Sequence, residues 1–173
     1  LYLLGADEID TSALGDAFVI YQGSHGDKGA HRADVILPGA AYTEKEGTYA
    51  NTEGRVQMTA RAIFPPGDAR EDWAILKALS DALGKPLPFE TLQELRSKMY
   101  AAAPQLAQLD TLERADSGPI VKFASHKAKP GKDPFGLSID DYYLSNPIAR
   151  ASTIMASLSA MRADVEKATG TDG

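Results

Sequence analysis

The sequence predicts an α/β domain with a mostly parallel sheet and flanking helices, followed by an extended helical C-terminal tail. Three observations predict it. Short continuous apolar runs at residues 1–4, 18–21 and 33–37 are each followed by Gly or Pro, as expected of strands buried on both faces. Two segments between residues 68 and 103 carry apolar residues at helical spacing behind capping signals. A further amphipathic segment follows Asn146 and Pro147.

Taken in order, Leu1–Leu4, Phe18–Tyr21 and Ala33–Leu37 are the expected strands. The backbone breaks after them, at Gly5, Gly23 and Pro38–Gly39, fall where α/β sheets place ligands. Asp68 and Glu71 have capping-box spacing, with Trp73, Leu76, Leu79 and Leu83 as the apolar stripe and Gly84 and Pro86 as the stop. Thr91 and Glu94 open a second helix, with Leu92, Leu95 and Met99 as its stripe and Pro104 as its end. Residues 104–137 read as an irregular surface excursion with a short strand at Ile120–Phe123. In the 138–173 tail, Asn146 caps and Pro147 starts a helix whose apolar face carries Ile148, Met155, Leu158, Met161 and Val165, and the final TGTDG frays. Residues 1–103 therefore form the α/β portion, and the chain is expected to be a piece of a longer polypeptide because it opens inside an apolar run.

Composition narrows the function classes. The 173 residues suffice for one domain with a core, and a net charge of −6 argues against a general nucleic-acid binder. No run approaches the roughly 20 apolar residues of a membrane span. With no cysteine in the sequence, this segment carries no disulfide, thiolate zinc site or iron–sulfur ligation through Cys.

Three constellations could carry chemistry, and each has a plainer alternative. Residues 23–32 (GSHGDKGAHR) could cradle a phosphate with Lys28 or Arg32; the glycine spacing matches neither a P-loop nor a dinucleotide fingerprint, and the plainer reading is a strand-to-helix turn with positive φ at one or two glycines. His25 and His31 with Asp27 and Asp34 could be proposed as a metal cluster; a solvated loop is favoured, and His126 is expected to be exposed. Glu44, Glu46, Glu53 and Arg55 could supply acid–base chemistry or bind a carboxylate, and Asn51, Glu53 and Arg55 alternate, so an extended chain would put them on one face. A Glu–Arg pair with Asn51 capping a turn is the structural alternative and is favoured. The Trp73 and Met155 stripes read as core or interface, and Lys122, Lys127, Lys129 and Lys132 as a solvated face that could meet an acidic neighbour.

The stretch ADVILPGAAYTEKEGTYANTEGRVQ, residues 33–57, resembles a segment near the end of the third domain of molybdopterin oxidoreductases. The shared pattern is met by Ala33, Asp34, Val35, Leu37, Pro38, Glu44, Lys45, Gly47, Thr48, Asn51, Glu53, Gly54, Arg55 and Gln57. LYLLGAD at the start, YQGSHGDKGAHRADVILPGAAYTEK, PPGDAREDWAILKALSDALGKPLPFETL and SIDDYYLSNPIARAS narrow the resemblance. They are similar to the large iron–sulfur subunit of proton-pumping NADH:quinone oxidoreductase (respiratory complex I).

The resemblance implies a molybdopterin oxidoreductase-like domain fragment without a molybdenum cofactor. It implies no catalytic, cofactor-binding or metal residue here, with 2Fe-2S and 4Fe-4S clusters in an N-terminal part of the subunit and FMN in a partner subunit. Expected partners are the rest of the subunit and other hydrophilic subunits of the peripheral arm, facing the bacterial cytoplasm or mitochondrial matrix, without nucleic acid or membrane insertion. The excursion at 104–137 and the helix after Pro147 are the candidate contact surfaces. The alternative is the C-terminal part of an active molybdopterin-dependent enzyme of the formate dehydrogenase kind. Gly26, Asp27, Asn51, Glu53 and Arg55 would then face the cofactor. A free-standing nucleotide-binding module is disfavoured by the missing phosphate fingerprint.

Overall fold

A computed structural model describes residues 1–114, 116–124, 129, 131–134, 136, 139 and 141–169, without the side chains of 165–169. Three strands, β1 (Tyr2–Leu4), β2 (Ile20–Gly23) and β3 (Val35–Pro38), form a parallel sheet in the order β1-β2-β3. Tyr2 stands beside Ile20, which stands beside Val35. Leu3, Tyr21 and Ile36 therefore share the face that receives the short helix α1 (Lys28–Arg32). Leu3, Val19, Tyr21 and Ala30 make the core there, with Ala6, Leu14 and Ala33 packed around it. Beyond β3, Gly39 bridges Arg70 in parallel, so the sheet's edge continues as backbone pairing without a full strand.

An antiparallel hairpin, β4 (Thr48–Ala50) and β5 (Val56–Met58), follows and departs from the mostly parallel expectation. Its turn is built by Asn51, whose Oδ1 accepts from the N–H groups of Glu53 and Arg55, both at 3.0 Å. Gly54 has φ +87°, a left-handed conformation that costs a glycine little. Two helices come next, α2 (Asp72–Ala82) and α3 (Leu92–Ala102). Thr91 and Glu94 form the capping box that their spacing predicts. The Asp68–Glu71 box does not form: α2 starts four residues after Asp68, and Glu71 is its extended N-cap without a side-chain capping bond. The Glu71 carboxylate instead accepts from Trp73 Nε1 at 2.9 Å, which removes it from the box.

The expected strand at Ile120–Phe123 is a helix, α4 (Gly118–Ala124). Asp116 accepts from Gly118 N, Pro119 supplies a φ suited to a first helical turn, and Val121 N donates to Ser117 O. Local turn chemistry therefore overrides the β-branched pair. Asn146 caps α5 (Pro147–Arg150) as predicted, with Oδ1 accepting from Ala149 N at 2.9 Å. The single helix expected after Pro147 is interrupted at Ala151–Ser152, and α6 (Thr153–Thr169) restarts from there. Helix α6 packs on α5 and on the 3-10 turn Tyr142–Leu144. His126, Lys127, the Val165 side chain and residues 170–173 of the expected frayed end lie outside the described residues. Among the described residues, no helix is long and apolar enough to cross a membrane.

Candidate functional site at the carboxyl ends of the parallel strands

Ligands of open α/β sheets sit outside the carboxyl ends of the strands, and two adjoining cavities occupy that position here. The first, about 300 Å³, is lined by residues that include Leu4, Gln22, Ala40, Lys45 and Asp72. The second, about 250 Å³, lies against Asp7, Tyr21, His25 and the segment Asn146–Ile148. Gly5, Gly23 and Ser24 line both.

The first cavity has a polar wall formed in series. Gln22 is fully buried near the end of β2. Its Oε1 accepts from the Tyr2 hydroxyl, and its Nε2 donates to Asp72 Oδ1 at 2.8 Å. Lys45 holds the other oxygen of Asp72. Every polar end of Gln22 thus has a partner, as burial requires. Burial and then the Asp72 charge raise the Tyr2 phenol above its ordinary range.

The second cavity has Asp7 at its floor. This carboxylate is 1% exposed; it accepts from Tyr21 Oη at 2.8 Å and from Gly29 N at 3.0 Å. The first turn of α1, where a phosphate cradle was conceivable, is therefore served by a carboxylate of the same chain. Burial, then the Asp7 hydrogen bond and charge, push the Tyr21 phenol well up. Gly23 and Gly29 serve clearance, whereas a Cβ at Gly26 would meet only Ala30 Cβ at 4.0 Å. None of Gly23, Gly26 and Gly29 has positive φ, contrary to the expected turn. A Cβ at Gly29 would lie 2.8 Å from both Ala6 O and the Tyr21 ring, and one at Gly23 would strike the Tyr21 side chain at 2.3 Å.

The residues singled out from sequence separate into two places. Gly26 and Asp27 are in the turn between β2 and α1. The Asp27 side chain makes no capping bond; Oδ2 accepts from Arg150 Nε at 2.5 Å. Asn51, Glu53 and Arg55 belong to the β4–β5 turn, which is not extended, so they do not form one face. Asn51 caps that turn as in the favoured reading, but the Glu53–Arg55 pair does not form among the described ion pairs. Glu44 accepts from Ala41 N at 2.9 Å, and Glu46 pairs with Arg96. His25 Nδ1 lies 2.9 Å from Ser24 Oγ. Asp34 accepts from Val19 N at 2.7 Å, locking β3 to the start of β2. Lys129 and Lys132 are exposed.

Sequence reasoning missed Asp7, Gln22, Asp72 and Arg150. A polar residue closing a buried apolar strand, as Gln22 does after FVIY, was the available signal for one of them. Arg150 gave no local signal, because its partners Asp27 and Glu8 lie 123 and 142 positions away.

Comparison with known proteins fits this arrangement. Residues 1–82 match the family Molybdopterin oxidoreductase, and residues 111–158 match the C-terminal family of the NADH-ubiquinone oxidoreductase G subunit. The chain is 47% identical over 176 residues to the mitochondrial NADH-ubiquinone oxidoreductase 78 kDa subunit of Candida albicans, covering 96% of this chain and 24% of that protein. It is 44% identical over 162 residues to the mitochondrial NADH dehydrogenase [ubiquinone] iron-sulfur protein 1 of Solanum tuberosum, covering 93% of this chain and 22% of the relative. With the 78 kDa subunit of Neurospora crassa it shares 44% identity over 94% of this chain and 22% of the other. The chain thus spans about a quarter of the length of the curated relatives it matches. The chain thus joins a segment similar to molybdopterin oxidoreductases to one similar to the C-terminal region of the G subunit, and the curated relatives it matches along nearly its whole length are named as 75/78 kDa subunits of NADH-ubiquinone oxidoreductase.

Proposed function

We propose that this chain is a structural, non-catalytic part of the large iron–sulfur subunit of proton-pumping NADH:quinone oxidoreductase, scaffolding the arm that carries electrons from NADH to quinone. The single observation that carries this reading is the match of residues 111–158 to the C-terminal family of the G subunit, because the molybdopterin oxidoreductase match of residues 1–82 is shared with the formate dehydrogenase-like alternative. The polar geometry supports a scaffold. Asp34, Glu44, Lys45 and Asn51, all in the motif region, are each spent on backbone groups or on Asp72.

The residues at the carboxyl ends of β1 and β2 do not fit a pterin dinucleotide, whose pyrophosphate is anionic. Asp7 already takes the Gly29 N–H, and the Arg150 guanidinium is already engaged by Glu8 and Asp27, so neither of these donors is left for a phosphate there. We assign no catalytic, cofactor-binding or metal residue to this segment. In this reading the iron–sulfur clusters, 2Fe-2S and 4Fe-4S, belong to other parts of the subunit and FMN to a partner subunit. The units 1–103, 104–137 and 138–173 pack on the rest of the subunit and on neighbouring hydrophilic subunits, on the matrix or cytoplasmic side. Exposed Ile120, Val121 and Phe123 on α4 support a contact role for the middle unit.

The test is metal and pterin analysis of the complex purified through a tag on the full-length polypeptide. Iron with NADH:quinone activity, without molybdenum, tungsten or pterin, is expected. Stoichiometric molybdenum or tungsten with pterin dinucleotide would overturn the reading in favour of the formate dehydrogenase-like alternative.

A further inference from the structure

The crevice at the carboxyl ends of β1 and β2 is roofed from far along the chain. Asn146, Pro147 and Ile148 line the cavity whose floor is Asp7 and Tyr21. One turn of helix places Arg150 at its rim: Asn146 caps, Pro147 sets the first helical φ, and Arg150 N donates to Asn146 O. From there the guanidinium uses all three of its nitrogens. Nε donates to Asp27 Oδ2 at 2.5 Å, Nη1 to Leu144 O at 2.9 Å, and Nη2 to Glu8 Oε1. Asp27 and Glu8 belong to the loops that leave β2 and β1. The Asp27 side chain is only 14% exposed and that of Arg150 20%, so this contact is shielded in a way a surface ion pair is not.

We propose that the segment Asn146–Arg150 is the occupant of the sheet's ligand crevice, with the Arg150 guanidinium fastening it to the two loops that would otherwise enclose a ligand. The crevice is thus a protein-binding groove used in cis, matched to a planar cation instead of an anionic dinucleotide. Two independent features support the assignment. The loops beside the groove suit a cation, since the backbone donor at Gly29 is consumed by Asp7 while the Asp27 and Glu8 carboxylates are acceptors, both taken by Arg150. Pro147 and Ile148 line the same cavity as Tyr21, with Ile148 partly turned to the outside. The coupling links the loop after β2 to the C-terminal region, so loosening one end loosens the other. This inference stands on contacts within the chain and holds or fails irrespective of membership in the respiratory complex.

The experiment is hydrogen–deuterium exchange on the full-length polypeptide, comparing wild type with Arg150→Ala, Asp27→Asn, the double variant and Arg150→Lys. Arg150→Ala is expected to speed exchange about tenfold or more in peptides covering both 24–32 and 141–150, which corresponds to roughly 1.4 kcal/mol. Asp27→Asn should do the same to a smaller degree. The double variant should add little beyond Arg150→Ala, the signature of one shared interaction. Arg150→Lys keeps the charge but not the fork and should restore only part of the protection. The proposal is overturned if Arg150→Ala leaves 24–32 unchanged or if the two substitutions act multiplicatively. Should the variants fail to fold, phenylglyoxal modification of the wild-type protein decides. Arg150 is expected to react at least tenfold more slowly than exposed Arg114, and equal rates would overturn the assignment.

Discussion

Residues 1–40 and residues 111–164 are both assigned to known family units or their edges, yet they are built on different physical terms. The first set closes a core of its own around Leu3, Val19, Tyr21 and Ala30, on a sheet whose register is fixed by parallel pairing. The second contains no buried residue among those described; its helices α4, α5 and α6 are joined by turns, and Ile120, Val121, Phe123, Ile154 and Met161 are exposed. Apolar side chains left open at such density mark surfaces that take their stability from what they contact. Residues 1–40 also leave Leu4, Phe18 and Ile36 open, so what separates the two regions is the buried core of the first; the second is held by its caps and by Arg150.

The largest expected contrast comes from deleting buried volume. Leu3→Ala should cost about 2–5 kcal/mol in chemical denaturation of the full-length polypeptide, while Val121→Ala on α4 should stay within about 0.5 kcal/mol. Equal losses would break the comparison. Next is overpacking: Gly29→Ala brings a Cβ within 2.8 Å of Ala6 O and the Tyr21 ring and should cost about 1–3 kcal/mol, whereas Gly84→Ala meets no atom within 4 Å and is strained only through its φ of +67°. Similar loss at both positions would mean that Tyr21 yields space easily.

A third test uses alkali. The folded Tyr21 phenol is raised, so the stability it contributes is complete below its unfolded value and is lost only as pH rises through the folded value. Phenolate absorbance should show a late ionisation step, and Tyr21→Phe should remove it. A titration curve unchanged by Tyr21→Phe would show that the core does not hold this phenol protonated. The smallest effects belong to the periphery. Thr91→Ala removes one side of the capping box and should cost about 1 kcal/mol, read from exchange over residues 92–97. Asp141 is held below the ordinary carboxylate range by the Ser159 hydroxyl and then by the Tyr143 N–H. Its contribution is present above the unfolded carboxylate value and fades as pH falls through the depressed one, so acid should release α6 from the Tyr142–Leu144 turn before it disturbs β2. Simultaneous release would erase the distinction between the two regions.

The legible part of the molecule is set by short-range chemistry. Three strands are recognisable because buried parallel strands need uninterrupted apolar runs, and the Thr91–Glu94 and Asn146–Pro147 caps because capping depends on residues three or four apart. The motif of residues 33–57 points to the family, and its Asn51 turn is readable for its structural role. Ile120–Phe123 departs from the expected strand because β-branched residues favour one only where a neighbouring strand awaits them, and here Asp116, Ser117 and Pro119 start a helix first.

By itself, the sequence determined three parallel strands and two helices within residues 1–103, the absence of cysteine chemistry in this segment, and the resemblance to a known family. Those follow from local periodicity, composition and a contiguous motif. Only the tertiary structure decided how the crevice is filled: that Asp7 serves the Gly29 N–H, that Gln22 joins Tyr2 to Asp72, and that Arg150 returns across 123 positions to Asp27. Those pairings depend on where the folded backbone brings distant charges together, and no pattern along the chain encodes that distance.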